Sequence, residues 1–205
     1  MILKIDEVNR LRSVPYDKYF GVMDITPSQK KKRKEFSERL EDVILDVLML
    51  ISTMRSYSKV DNELAVMQLK QGYIDAAVSV GAVSDDYLEN LALLFALSFI
   101  ETTFEHEGDE WYISNDRAKY NAENEANTVL NYSEYRYALD HFKYKTWHTE
   151  ADERVRPTHI PLEGEKIPIN ELFVVGESLM RFPKDTEYAA PEEIVNCRCS
   201  ITFSN

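Results

Sequence analysis

The chain has 205 residues, 44% of them hydrophobic and 29% charged, with a formal net charge of −12. That length suits one ordinary domain or two small units and can bury a real core, while the acidic balance argues against broad coating of nucleic acid, which needs a positive surface that releases counterions. No apolar run approaches the ~20 residues that span a bilayer; the richest, Leu91 to Ile100, is too short and reads as a buried helix.

The charge is uneven. Residues 1–60 carry 12 basic and 9 acidic side chains, residues 61–140 carry 4 and 16, and residues 141–205 carry 8 and 11. The middle third repels phosphate, so only Lys30-Lys31-Lys32-Arg33-Lys34 offers DNA a footing, and at a helix start such a run reads more simply as a solvated first turn or two. Met1 to Glu7 lacks the basic-then-apolar layout of a signal peptide. The protein is therefore expected to be made and used in a cytoplasm, or in a particle assembled there.

Up to about residue 143 the pattern is helical. Thr26-Pro27-Ser28-Gln29 opens the first clear helix: Thr26 is a good N-cap, Pro27 suits the first helical position, and Gln29 completes a capping box. Its apolar stripe runs Phe36, Leu40, Val43, Ile44, Val47, Leu48, Ile51, ending near Arg55. A second helix is predicted from Asp61 to about Val80 with Leu64, Met67, Ile74, Ala77 and Val78 inward and Gly81 as its stop. A third starts at Ser84-Asp85-Asp86, a cap followed by an acidic first turn. It carries Leu88, Leu91, Leu94, Phe95, Leu97, Phe99 and Ile100, and reads as the centre of a bundle. A fourth, capped by Ser114, runs from about Asn115 to about Phe142. Asn121, Asn124, Asn127 and Asn131 lie inside it, although Asn is a mediocre helix former. Either those amides bond something specific or that face is wet.

From Tyr144 the texture changes to short β-like runs broken by Pro, Gly and Asn. Lys145 to Thr149 alternates as a strand, Asp152 to Pro157 is a turn or short helix, and His159 to Pro168 is a loop or hairpin around Gly164. Glu171–Gly176 and Leu179–Pro183 are short extended pieces, Pro191-Glu192-Glu193 reads as a solvated helix start, and Asn196 to Phe203 closes as a strand. The chain is thus read as α+β: an N-terminal helical region of about four helices followed by a small mixed α/β C-terminal domain, with residues 1–113 as the helical region and 114–205 as the domain of a long helix plus short strands.

The last third concentrates Trp147, Thr149, Asp152, Arg154, Arg156, His159, Asn196, Cys197, Arg198 and Cys199. With few long apolar runs nearby, these residues are expected to fold inward as a hydrogen-bonded network, with an internal ion pair between Asp152 and the Arg154/Arg156 pair. Cys197 and Cys199 are poorly placed to bridge each other. With His159, and Asp152 or His148, they have the donor softness of a four-ligand zinc site. The alternative is two buried thiols packing as small hydrophobes. Their one-residue gap departs from the usual ligand spacing and favours that second reading. Cys197 or Cys199 with His159 and Asp152 also supplies the residue types of a thiol-dependent hydrolase or toxin-like enzyme, but no nucleophile elbow, phosphate loop or His-Glu-x-x-His surrounds them.

The order of these motifs resembles the phage Mu F-like minor head domain, the phage head-morphogenesis family. The resemblance rests on Arg117-Ala118, Glu125 and Asn131 along the fourth helix, and then on Trp147, Thr149, Asp152, Arg154, Arg156 and His159. Gly164, Phe173, Pro183 and Asn196-Cys197-Arg198-Cys199 follow in the same order. It implies a structural, non-catalytic virion protein of a tailed phage or prophage, located in the procapsid or head interior or at the portal vertex. The portal and major capsid proteins are its implied partners, and some relatives are thought to accompany DNA during ejection. Self-association into a homo-oligomer is compatible with that role; extensive DNA contact and a membrane are not expected. The resemblance assigns Arg117, Glu125, Asn131, Trp147, Thr149, Asp152, Arg154, Arg156, His159, Asn196 and Arg198 to a structural or interface network. No cofactor is expected beyond the zinc alternative at His159, Cys197 and Cys199. Some relatives carry an extra C-terminal domain behind this module; with six residues after Cys199, none is expected here.

Overall fold

The structure is a computed structural model that describes residues 25–53 and 59–205. Within them five α-helices precede or flank short antiparallel strands, which is the α+β class expected. The helices are α1 (Pro27–Thr53), α2 (Lys59–Ser79), α3 (Asp86–Glu105), α4 (Asn115–Ala138) and the one-turn α5 (Pro191–Ile194). The strands are β1 (Tyr144–His148), β2 (Lys166–Pro168), β3 (Phe173–Val175), β4 (Ser178–Met180) and β5 (Ser200–Ser204). The N-terminal segment Met1 to Glu7 and the expected end of the first helix near Arg55 lie outside the described residues.

Local sequence chemistry places the helix starts. At α1, Thr26 Oγ1 accepts from the Gln29 N–H at 3.3 Å while Gln29 Oε1 accepts from the Thr26 N–H at 2.9 Å, closing the capping box. Asp85 caps α3 by accepting from the Leu88 N–H at 3.0 Å, and Ser114 caps α4 by accepting from the Arg117 N–H at 3.2 Å. The fourth helix ends at Ala138, four residues short of the expected Phe142, and a turn leads to β1.

The chain divides into two compact units, with boundaries inside α1 and α4. The first takes residues 34–123 among those described. Phe36, Leu40, Ile44, Val47, Leu48 and Ile51 form the buried stripe of α1. Phe36, Tyr73, Phe95 and Phe99 form a run of ring contacts with centroids 5.4 to 5.8 Å apart. The inward face of α2 differs from expectation. Ala65, Leu69, Tyr73, Ala76, Ala77 and Val80 are buried, whereas Leu64, Met67 and Val78 are exposed, Met67 by 68%. The buried set is rich in alanine, and Gly72 brings the helix backbone against Val43. Close approach of backbones thus decided the face, rather than the size of the side chains. In α3, Leu94 and Leu97 are likewise exposed, so this helix is not buried all round.

Arg117 belongs to this helical unit. Its guanidinium donates to Thr103 Oγ1 at 2.7 Å, to the Tyr112 carbonyl at 2.5 Å and to the Phe99 carbonyl at 3.2 Å, and lies 4.0 Å from the Phe99 ring centre. Burial lowers its pKa to about 10.

The second unit takes residues 25–33 and 124–205 among those described. Its sheet has the order β2-β1-β5, antiparallel throughout, with Trp147 opposite Ile201 and Lys145 opposite Phe203. The β1–β2 ladder continues past its strand ends, where the Gly164 N–H donates to the Trp147 carbonyl at 2.9 Å with Gly164 at φ +74°. Alternation along β1 turns Lys145 and Trp147 inward. β3 and β4 form a separate hairpin that buries Phe173, Val175 and Met180.

Gly72→Ala gains about 1 kcal/mol of helix propensity, yet its Cβ meets Val43 Cγ2 at 2.8 Å and Val43 Cβ at 3.1 Å. Overpacking of that kind costs about 1–3 kcal/mol. Urea denaturation is expected to show a net loss of stability for Gly72→Ala, and Val43→Ala in the same chain to recover most of it. A raised midpoint for the single variant, showing the helix-propensity gain unopposed, would refute the close approach.

Candidate functional site

The C-terminal unit gathers polar side chains from six sequence regions. One group hangs from α4. Asn127 and Asn131, one turn apart, both donate to the Cys199 carbonyl, at 2.8 and 3.0 Å. Asn131 also donates to the Pro183 carbonyl at 3.2 Å. Their own amide oxygens accept from Arg33 of α1, Nε to Asn127 at 3.2 Å and Nη2 to Asn131 at 2.9 Å. Arg33 is fully buried and pairs with Glu134 at 2.8 Å. The expectation of a solvated basic run at residues 30–34 therefore fails at Arg33. It lies three and seven residues before Phe36 and Leu40, on the stripe of α1 that faces inward.

The second group centres on Asp152. Arg198 grips it with two parallel bonds, Nη1 to Oδ2 at 2.8 Å and Nη2 to Oδ1 at 2.6 Å. Arg154 adds its backbone N–H at 3.0 Å and its side chain at 3.2 and 3.3 Å. Burial alone would raise the Asp152 pKa, but the Arg198 bonds and charge outweigh it and hold it below the ordinary carboxylate value. Arg156 donates to the Val195 carbonyl. Thr149 closes the 149–163 excursion by giving both its N–H and its hydroxyl to Glu163, at 2.5 and 2.6 Å.

The third group is the buried centre. His159 Nδ1 lies 3.4 Å from Cys199 Sγ and 3.7 Å from Cys197 Sγ. Its Nε2 lies 3.0 Å from Glu193 Oε2, which also accepts from the Thr158 hydroxyl at 2.8 Å. Trp147 sets its ring edge-on to His159, with centroids 5.6 Å apart, and edge-on to Phe173 at 5.1 Å. The two cysteines precede β5 instead of lying in it, because Asn196 turns the chain through φ +58°; Asn tolerates that left-handed geometry better than most residues. Burial presses His159 toward its neutral form, yet Cys197 and Glu193 prevail and its pKa rises. The hydrogen bond with Cys199 lowers the Cys197 pKa, while the same bond and burial raise that of Cys199.

Most of the expected residues thus meet, with three qualifications. Arg117 serves the helical unit. Glu125 is half-buried on α4, where its charge acts on the buried Lys184. His148 and Asp152 are not at the sulfur cluster: His148 lies 2.7 Å from the Thr202 hydroxyl and 3.7 Å from Glu163, and Asp152 is engaged by arginines.

Several partners escaped the sequence reading. Glu193 is buried against His159, not part of a solvated helix start. Lys184 is buried and donates at 2.8 Å to both the carbonyl and the side-chain oxygen of Asn124. Lys145 donates to the Arg181 carbonyl at 2.7 Å, and burial pushes its pKa down to about 8. Glu150 is buried, and its pKa is raised to about 7 by burial. The signal available for Lys145 was its alternation with Trp147; for Glu193 and Lys184 no local signal existed.

Beside these residues lies a cavity lined by Glu150, His159, Cys197 and Cys199 among others, with about 10 Å³ open to a water-sized sphere. That is room for one water or ion. The fold and the site together define a small antiparallel sheet whose polar side chains are turned inward upon one another. The family model described as Phage Mu protein F like protein matches residues 74–202, and the chain belongs to that family of bacteriophage head-morphogenesis proteins. The matched span begins inside α2 and takes in α3, α4 and the polar assembly apart from Arg33 of α1. No curated protein and no solved structure matches the chain.

Two measurements probe the assembly. Asn131→Ala removes three hydrogen bonds at a buried position and is expected to cost about 2–3 kcal/mol in urea denaturation. Asn121→Ala, on the same helix but half-buried, is expected to cost under about 1 kcal/mol. Equal effects would contradict the described network. For Asp152 the folded pKa is depressed, so its stabilisation is present above the unfolded value of about 3.9 and is lost as pH falls through the folded value. Wild type is expected to exceed Asp152→Asn by on the order of 1 kcal/mol near neutrality, discounted for partial exposure. The two midpoints should then converge in strong acid. A constant difference at all pH values would show that Arg198 does not select the carboxylate.

Proposed function

We propose that the chain is a virion-associated minor head protein that docks on portal or major capsid protein while the phage head assembles. The observation that carries this reading is the family match over residues 74–202, on a unit whose polar side chains are turned inward upon one another. Such a unit offers stiffness. Surface for docking is available on the helical unit, where Met49, Leu64, Met67, Leu94 and Leu97 are exposed. The burial of Arg33 takes one cation out of the 30–34 run, which favours a protein partner over DNA.

The hydrolase reading has less support. Cys197 and His159 with Glu193 have the composition of a thiol triad, but Cys197 is buried and the adjoining cavity admits only a water-sized guest.

The test is removal of the gene from its phage or prophage. Procapsids purified from the wild type are expected to carry the chain in low copy, and the deletion to lower the yield of infectious heads at least tenfold. Pull-down of purified portal and major capsid proteins then identifies the partner. Normal heads and full infectivity without the gene would overturn the proposal.

A further inference from the structure

Three donor atoms converge in the C-terminal unit with no task in the docking role. Sγ of Cys197, Sγ of Cys199 and a ring nitrogen of His159 lie within 4.8 Å of one another, and all three residues are buried. The geometry points to a structural site for zinc or a similar thiophilic divalent cation, with Cys197, Cys199 and His159 Nδ1 as ligands and Glu193 orienting the imidazole.

The distances favour a metal triangle over a dry thiol pair. With a metal–sulfur bond of about 2.3 Å and a metal–nitrogen bond of about 2.05 Å at a tetrahedral angle, the sulfur–nitrogen edge is about 3.6 Å. The two edges here are 3.4 and 3.7 Å. Both edges meet at one Nδ1, which has either one lone pair or one N–H to offer, so hydrogen bonding alone would have to be bifurcated there. Two sulfurs held at similar distances from the same nitrogen are what a shared cation produces.

The surroundings supply the rest of a metal site. Glu193 Oε2 sits 3.0 Å from His159 Nε2, so the Nε2–H is directed at a carboxylate and the Nδ1 lone pair at the sulfurs. That carboxylate–histidine pairing fixes the tautomer and raises the basicity of a ligating imidazole. The adjoining cavity is the size of one ion or water. Glu150 is the one carboxylate among its lining residues, and its buried Oε2 has no hydrogen-bond partner. It supplies the fourth donor through one water held in that cavity. Two thiolates and a neutral imidazole carry −2, which a divalent cation cancels, and binding releases the thiol protons to solvent. The cation would tie the turn at residues 156–159 to the segment that leads into β5, in a unit whose strands are only three to five residues long.

The test uses the full chain, expressed with zinc and purified under reducing conditions. Elemental analysis is expected to give about one zinc per chain, and chelation to lower the melting temperature. Cobalt(II) titration of the chelated protein is expected to give sulfur-to-cobalt charge-transfer absorption and the intense visible bands of a four-coordinate site. Cys197→Ser or Cys199→Ser should abolish or halve the charge-transfer band. Glu193→Gln and Glu150→Gln should keep it while weakening cobalt affinity about tenfold or more. A reduced, folded wild-type chain that takes up neither zinc nor cobalt would overturn the proposal, as would cobalt binding that survives Cys197→Ser with Cys199→Ser. Because the titration is read on the wild type, misfolding of a variant does not shield the proposal. Loss of infectivity is not among its readouts, so it stands or falls apart from the docking role.

Discussion

The carbonyl oxygen of Cys199 receives two side-chain N–H groups at once, from Asn127 and Asn131, and the rest of the C-terminal unit is arranged around that double bond. An amide can serve this purpose only if its own oxygen is satisfied, and Arg33 does that for both. A guanidinium buried without an anion would be costly, and Glu134 supplies the anion. One acceptor on the segment before β5 therefore requires four side chains on two helices. Removal of any one leaves a buried group unpaired, which explains how a small sheet with short strands keeps one geometry.

The same logic extends outward from Cys199. Its carbonyl is fixed by α4, its sulfur faces His159, and its neighbour Arg198 is locked on Asp152. Trp147 covers the imidazole from the sheet, and Phe173 of the hairpin packs in turn on Trp147. Ion pairs and amide bonds here do the positioning that a larger unit leaves to apolar packing, while the helical unit relies on its rings and alanines.

How much of this was legible in the sequence follows from the range of each interaction. The capping box at Thr26 and Gln29 and the cap at Ser114 span three residues, so their chemistry is written locally. The approach of Arg198 to Asp152 was readable only as a density of compatible charges, and the order of the motifs supplied what spacing did not. The inward face of α2 was misread because it is chosen by a partner helix through Gly72 and alanines, while leucine and methionine at positions 64 and 67 drew attention outward. Glu193 and Lys184 were missed because each joins a residue 34 or 60 positions away. Nothing near either of them distinguishes a buried charge from a solvated one.

β5 pairs along its whole length with β1 and follows the turn that presents both cysteines. Every other segment of the polar assembly is translated before it. The amides of α4 and the imidazole of His159 consequently leave the ribosome lacking their counterparts and stay hydrated until residues 197–204 emerge. With its key contacts made across such long stretches of chain, this unit is expected to fold slowly and all at once, and only when residues 197–204 are available to it.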